Sequence, residues 1–179
     1  WMNETIKEEI VEWIKIIITA LFFAFIITRF IKPTLVNGES MYPTLKSHDY
    51  LVANRMTYKL SEPKCGDIMI FKTDLLQENG RKKELVKRVI GVPGDHLKIK
   101  DSKVYINGKL LNEVSYIHDN YTEGDIDMVI PKGKVFAMGD NREVSLDSRY
   151  KEVGLVDEEN IKGKVILRVF PFTDIGIFE

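Results

Sequence analysis

The sequence predicts a mainly β protein, an antiparallel β-sheet domain carried behind one N-terminal transmembrane helix. Three observations lead there. Ile16 to Thr28 is an uncharged apolar run, and no other run in the chain approaches it in length. After Pro33 the chain changes to short alternating or apolar stretches separated by turn residues, with little helical periodicity. Asn107-Gly108, between Val104-Tyr105-Ile106 and Leu110-Leu111, is a strong two-residue hairpin signal. Residues 1–32 are expected to form a short stub and the helix. Residues 33–179 are expected to form the β domain, with a small lobe or loop at about 101–132.

The helix comes first. Thirteen uncharged residues fall short of the roughly 20 that span a bilayer. Extending the run to Val11–Ile31 reaches 21 residues and admits Glu12, Lys15 and Arg29. Lys15 and Arg29 lie near the ends, where long basic side chains reach the headgroups. Trp13 and Phe30 fit the interfaces. A cleavable leader would want a small-x-small site, which Thr28-Arg29-Phe30-Ile31-Lys32-Pro33 lacks. A core helix would show a polar stripe, which the run almost lacks. A single spanning helix is therefore favoured. Lys7 and Lys15 before it balance Arg29 and Lys32 after it, so charge does not orient it.

Strands are expected at Asp49–Asn54, Asp67–Lys72, Glu84–Val92, Asp95–Lys100, Lys103–Ile106, Lys109–Leu111, Val135–Met138 and Lys164–Phe170. Val92-Pro93-Gly94-Asp95 is a tight turn by composition. Leu75–Lys83 and the acidic stretch Asn112–Pro131 are expected to be loops.

Composition excludes several functions. With 26 Lys+Arg against 27 Asp+Glu there is no basic excess for a nucleic-acid surface. Cys65 is the only cysteine, so no intramolecular disulfide forms. Ser47-His48-Asp49 has the letters of a triad, but adjacent residues cannot converge their side chains in that geometry. His96 and His118 stand alone, no His/Asp/Glu spacing suggests a metal, and no glycine-rich phosphate loop is present. No cofactor is expected.

Three segments carry candidate chemistry. Ser40, in Gly38-Glu39-Ser40-Met41-Tyr42-Pro43-Thr44-Leu45, follows the apolar run by about ten residues. It is either a turn serine or a nucleophile held at the bilayer surface. Lys87, in the strand Glu84–Val92, shares a face with Leu85 and Val89 because side chains alternate. It is the only lysine of the β domain with large apolar residues at both i−2 and i+2. Apolar surroundings disfavour the charged amine, and a neutral amine can take a proton from a serine hydroxyl. The competing possibility is a wet edge strand. The third segment, Gly139–Arg149, packs Ser145 and Ser148, three carboxylates and two guanidiniums into eleven residues. It suits either a loop fixed by Asp–Arg pairs or an exposed polar turn.

Taken in order, Ser-Met-x-Pro-Thr-Leu around Ser40, Gly66–Lys72, Lys87–Asp95, and Gly139-Asp140-Asn141-Arg142 through Asp147-Ser148-Arg149 resemble bacterial type I signal peptidases over nearly the whole chain. The short length, single anchor and small insert before Gly139 resemble the Gram-positive form. The resemblance implies a membrane-bound serine endopeptidase that removes signal peptides from exported preproteins after small-x-small (Ala-x-Ala-like) sites. Ser40 would be the acyl-enzyme nucleophile and Lys87 its general base. Ser145 would orient Lys87. The backbone N–H groups of Ser40 and Gly38 would hold the oxyanion, since Gly38 stands where some relatives have serine. Asp147, Arg149 and Arg88 would buttress the site. Val36, Met41, Leu45, Leu85 and Val86 would line shallow substrate pockets, with the peptide extended against strand edges near Leu85-Val86. The N-terminus would be cytoplasmic and the β domain outside, with the lipid bilayer and exported preproteins as partners and the secretion machinery nearby. Glu143-Val144 departs from the family's usual Asp-Asn just before Ser145.

Two other functions are weighed. An assembly factor that binds pilin or another exported subunit without cutting it need not keep both Ser40 and Lys87. A self-cleaving repressor-type Ser-Lys protease would want a DNA-binding helical domain where this chain has the apolar run.

Overall fold

A computed structural model describes residues 2–117 and 121–178. The expected lone His118 lies outside the described residues. The chain opens with helix α1 (Met2–Phe30). Within it, Ile6–Phe30 is long and apolar enough to cross a membrane, with mean hydropathy 2.4 and none of it buried against the protein. Twenty-five residues rise about 37 Å, against a hydrocarbon core of about 30 Å. A helix this apolar with no protein packed on it leaves its side chains facing solvent unless lipid covers them, which disfavours a core helix. Its last turn is tied to the β domain by two bonds. The Arg55 N–H donates to the Phe30 carbonyl at 2.9 Å, and the Arg55 guanidinium donates to the Thr28 carbonyl at 3.3 Å. Carbonyls that a helix end leaves without partners are thereby satisfied.

The strands, in chain order, are β1 (Ile31–Leu35), β2 (Tyr50–Asn54), β3 (Ile68–Leu76), β4 (Lys82–Gly91), β5 (His96–Lys100), β6 (Lys103–Ile106), β7 (Lys109–Leu110), β8 (Ile126–Val129), β9 (Lys134–Met138), β10 (Val156–Asp157), β11 (Ile161–Phe170) and β12 (Gly176–Ile177). Two four-residue helices, α2 (Thr57–Leu60) and α3 (Val114–Ile117), and two single 3-10 turns join them. Among the described residues, the larger sheet runs β1-β2-β11-β3-β4-β9-β10, with β12 on β11. The smaller runs β7-β6-β5-β8. Every ladder is antiparallel.

All eight expected strands are present. Asn107 and Gly108 both take positive φ (53° and 76°), which is the backbone a twisted two-residue hairpin turn requires. The turn at Val92–Asp95 also forms, with the Asp95 carboxylate accepting the Val92 N–H at 3.0 Å. Two expected loops are corrected. Strands β3 and β4 run into Leu75–Lys83, so only a short turn is left. The stretch Asn112–Pro131 contains α3 and β8, and β8 pairs with β5 from His96↔Val129 to Ile99↔Ile126. Strand β1 had no counterpart in the reading of the sequence.

Three apolar clusters hold the domain. One places Val36, Met41 and Leu45 against Leu51, Ala53, Ile68, Ile70 and Val165. A second joins the two sheets through Ile90, Leu97, Ile99, Val104, Phe136 and Met138. The third (Met69, Phe71, Val89, Val135, Ala137 and Val156, with Leu85 against it) lies on the sheet face that Lys87 shares. The larger sheet and the first of these clusters thus carry Ser40's turn at one side and the lysine strand at its centre.

Candidate active site

Lys87 lies in the middle of β4, opposite Met69 of β3. Its apolar neighbours along the strand are those the alternation predicted, and only 2% of its surface is exposed. Burial lowers its amine from the ordinary 10.5 to about 8. Asp147 opposes that shift, Lys83 reinforces it, and Asp140 and Arg149 act more weakly in opposite senses. The amine Nζ is 2.5 Å from Ser40 Oγ. Ser40 heads a turn in which the Tyr42 N–H donates to Glu39 O at 3.0 Å and the Leu45 N–H to Met41 O at 2.8 Å. Burial of Met41 and Leu45 in the first cluster pins that turn. The hydroxyl is thereby aimed at the lysine from a different part of the chain.

The third segment closes on both. The Ser40 carbonyl accepts the Asn141 N–H at 3.1 Å. Asp147 is fully buried and accepts the Gly139 N–H at 3.0 Å. Arg149 clasps Asp147 through Nε at 2.9 Å and donates to the carbonyls of Arg142 and Ser145 at 2.7 and 3.3 Å. Arg88 grips Asp140 with two bonds of 2.8 and 2.7 Å and donates to the Gly66 carbonyl at 2.9 Å. Paired charges thus fix the loop, one of the two forms its composition allowed. A Cβ on Gly139 would stand 2.2 Å from Ser145 Oγ and 2.3 Å from the Ser40 carbonyl oxygen, so the Ser40 turn and the Gly139–Arg149 loop meet at a point that admits no side chain.

The remaining expected site residues fall as follows. Ser145 is 2% exposed, and its Oγ has no hydrogen-bond partner among the described residues, so no bond to Lys87 is made here. Glu143 and Val144 stay at the surface, and the departure from the family pattern leaves Ser145 buried. The Gly38 N–H points to Ser47 Oγ at 3.4 Å, a long bond. Leu85 and Val86 are half-buried, whereas Met41 and Leu45 (1% and 0% exposed) and Val36 (5%) are core residues rather than open pocket walls. The pairings of β4 leave one edge free before Arg88, because β9 pairs only from Arg88 onward. Strand β1 is a sheet edge as well. Lys32 of β1 reaches Glu84 of β4 at 2.9 Å, joining the two strands by side chains alone.

The discounted triad letters stay apart in function. The Asp49 carboxylate accepts the Lys46 N–H at 2.9 Å and Arg168 at 3.0 Å, not His48. His96 pairs with Asp127 on the smaller sheet. Cys65 is exposed as a residue, but its sulfur is partly desolvated where it donates to the Ile90 carbonyl at 3.2 Å, which raises the thiol. No cluster of three metal-type ligands occurs among the described residues.

The sequence reading missed the second layer of the site. Arg142 is 1% exposed and pairs with Glu113, from the stretch expected to be a loop. Tyr116 lies under the Arg88 guanidinium at 4.2 Å. Only the acidic character of that stretch hinted at either contact.

Residues 10–170 match the family model for signal peptidase, peptidase S26. The signal peptidase IB of Staphylococcus aureus (strain COL) is 38% identical over 186 residues, which cover 94% of this chain and 93% of that one. The signal peptidase I of Bacillus licheniformis is 39% identical over 180 residues, with the same coverage. A crystal structure of a signal peptidase I from Enterococcus faecalis V583 aligns with a TM-score of 0.46 at 28% identity, over 58% of this chain and 97% of that one. On the family match and on relatives of this identity and coverage, the chain belongs to the signal peptidase family, peptidase S26.

Proposed function

We propose that this signal peptidase cuts signal peptides from exported preproteins with Ser40 as nucleophile and Lys87 as general base. The observation that carries the proposal is the 2.5 Å contact between Ser40 Oγ and an amine that burial holds near 8. At neutral to mildly alkaline pH a useful fraction of Lys87 is uncharged, and its lone pair accepts the Ser40 proton as Oγ attacks the scissile carbonyl carbon. The carbonyl oxygen becomes an oxyanion, to which the Ser40 and Gly38 N–H groups donate; the long Gly38–Ser47 bond is readily exchanged for the stronger charge-assisted one. The Lys87 ammonium then protonates the departing amine, and the C–N bond breaks to leave an ester on Oγ. Water, giving its proton to Lys87, hydrolyses that ester and frees Ser40. Asp147, Arg149 and Arg88 hold the loop and the strand in register, and Ser145 supplies a hydroxyl beside the lysine.

The substrate lies extended along the free edge of β4 near Leu85 and Val86, with β1 on its other side, and the apolar residues there accept the small side chains flanking the cut. Residues 1–32 anchor the chain and 33–179 form the peptidase domain. Exported chains emerge on the outer face, so the N-terminus is cytoplasmic and the peptidase domain lies outside, close to the secretion machinery. A binding-only assembly role would need neither the serine nor a desolvated lysine. The test is cleavage of a preprotein by membranes carrying wild type, Ser40→Ala or Lys87→Ala. Loss of cleavage in both variants is expected, and full activity in either removes the dyad.

A further inference from the structure

Glu113, Tyr116 and Thr122 make contacts that the chemistry above does not use. Arg142 is almost wholly buried, and its charge needs a partner there. Its guanidinium donates from Nη1 to Glu113 Oε2 at 3.2 Å and from Nη2 to Glu113 Oε1, and Nη1 also meets Thr122 Oγ1. Glu113 is itself only 6% exposed. The Tyr116 hydroxyl donates to Glu113 Oε1 at 3.1 Å, and its ring backs Arg88. On its other side, Arg142 Nε donates to the Gly139 carbonyl at 3.1 Å.

Gly139 is the residue at which any side chain would collide with both the Ser40 carbonyl oxygen and Ser145 Oγ. Its peptide groups are held from two directions, the N–H by Asp147 and the carbonyl by Arg142. Asp147 belongs to the same loop. The Arg142 anchor depends on a carboxylate 29 residues earlier in the chain. We infer that Glu113 is a positioning residue for signal-peptide cleavage, acting through Arg142 to fix the Gly139 peptide against Ser40 and Ser145. Without Glu113 the Arg142 charge would be buried and unpaired, and it would turn toward water. The Gly139 carbonyl would lose its donor and the loop that closes over Lys87 would loosen. Small displacements of reacting groups cost rate steeply. Water admitted beside Lys87 would also relieve the desolvation that makes its amine a base near neutrality.

This inference rests on Ser40 and Lys87 being the reaction centre, so Ser40→Ala is assayed alongside. The full chain in detergent is assayed with a preprotein substrate as wild type, Glu113→Gln, Glu113→Asp, Thr122→Val and Val104→Ala. The last is a core change in the smaller sheet that lowers stability away from the site. Glu113→Gln is expected to lower kcat at least roughly tenfold with little change in KM. Its pH profile is expected to move to higher pH, with Glu113→Asp recovering most of the rate. Thr122→Val is expected to move both in the same direction by less. Val104→Ala should lower the melting temperature without moving the profile. A folded Glu113→Gln with wild-type kcat and pH profile overturns the inference. So does an unshifted Thr122→Val, which decides the matter if Glu113→Gln does not fold. If Ser40→Ala stays active, the reaction centre itself is wrong; if it is dead while Glu113→Gln behaves as wild type, only the role of Glu113 falls.

Discussion

The amine of Lys87 sits 2.5 Å from the hydroxyl of Ser40 although 47 residues separate them, and the lysine reaches it from a face shared with Leu85 and Val89. A charged ammonium there forfeits hydration that a single hydroxyl only partly replaces. The carboxylates that would restore it, Asp147 and Asp140, are occupied by Arg149 and Arg88. Burial thus lowers the amine to about 8, and committing the nearby negative charge to the two arginines limits how far the carboxylates raise it again.

That arrangement has a cost in stability which should be measurable. Unfolded, the amine keeps its proton up to about 10.5; folded, only up to about 8. Below 8 both states are protonated and the native state bears the full burial penalty, about 3 kcal/mol from the difference between the two values. Between 8 and 10.5 the unfolded state binds the extra proton, so stability rises with pH through that window. Lys87→Met is expected to be inactive and to melt higher than wild type at pH 7, with the gap narrowing as pH is raised from 8 toward 10.5. Thermal melts of the full chain in detergent at several pH values check this. A gap that widens above pH 8 would contradict it.

Gly139→Ala is expected to be far more damaging than a methyl group suggests. The new Cβ would collide with the Ser40 carbonyl oxygen at 2.3 Å and Ser145 Oγ at 2.2 Å, so backbone that positions Ser40 must move. A loss of about a hundredfold in kcat is expected, with KM changed much less. Steady-state kinetics on a preprotein would show it. Adding Ser145→Ala removes only the Oγ clash, leaving the Ser40 carbonyl oxygen at 2.3 Å and the residue-145 Cβ at 2.6 Å, and should not restore the rate.

Ser145 separates stability from activity. Its Oγ is buried without a partner among the described residues, so removing the hydroxyl relieves an unsatisfied group. Ser145→Ala is expected to leave the melting temperature unchanged or raise stability by up to about 1 kcal/mol, while lowering kcat if its hydroxyl takes the proposed role of orienting Lys87. Parallel melts and kinetics test the pair of outcomes. Equal loss in both would make Ser145 a structural residue.

Much of this was legible in the chain. Lys87 between Leu85 and Val89 declared its face through alternation alone, and positive φ at Asn107 and Gly108 follows from the two residue types suited to it. Strand β1 was illegible because Pro33 cannot donate to a ladder, which makes Ile31–Leu35 unlike a strand until its place at a sheet edge is known. Strand β8 hid in an acidic stretch because only alternate residues touch the core. Met41 and Leu45 look like pocket residues beside a nucleophile, yet their burial is set by the nearby strand β2 together with β3 and β11, which lie farther along the chain. The Glu113–Arg142 pair and the close approach at Gly139 are tertiary contacts, and no local pattern encodes them.

The pH dependence of kcat/KM for preprotein cleavage by the full chain bears most directly on the Ser40–Lys87 account. Activity should rise by about tenfold per pH unit on the acid side and level off near the value of about 8 held by the buried amine. A rate that is flat from well below that value, or that falls as Lys87 loses its proton, would contradict a neutral lysine as the base.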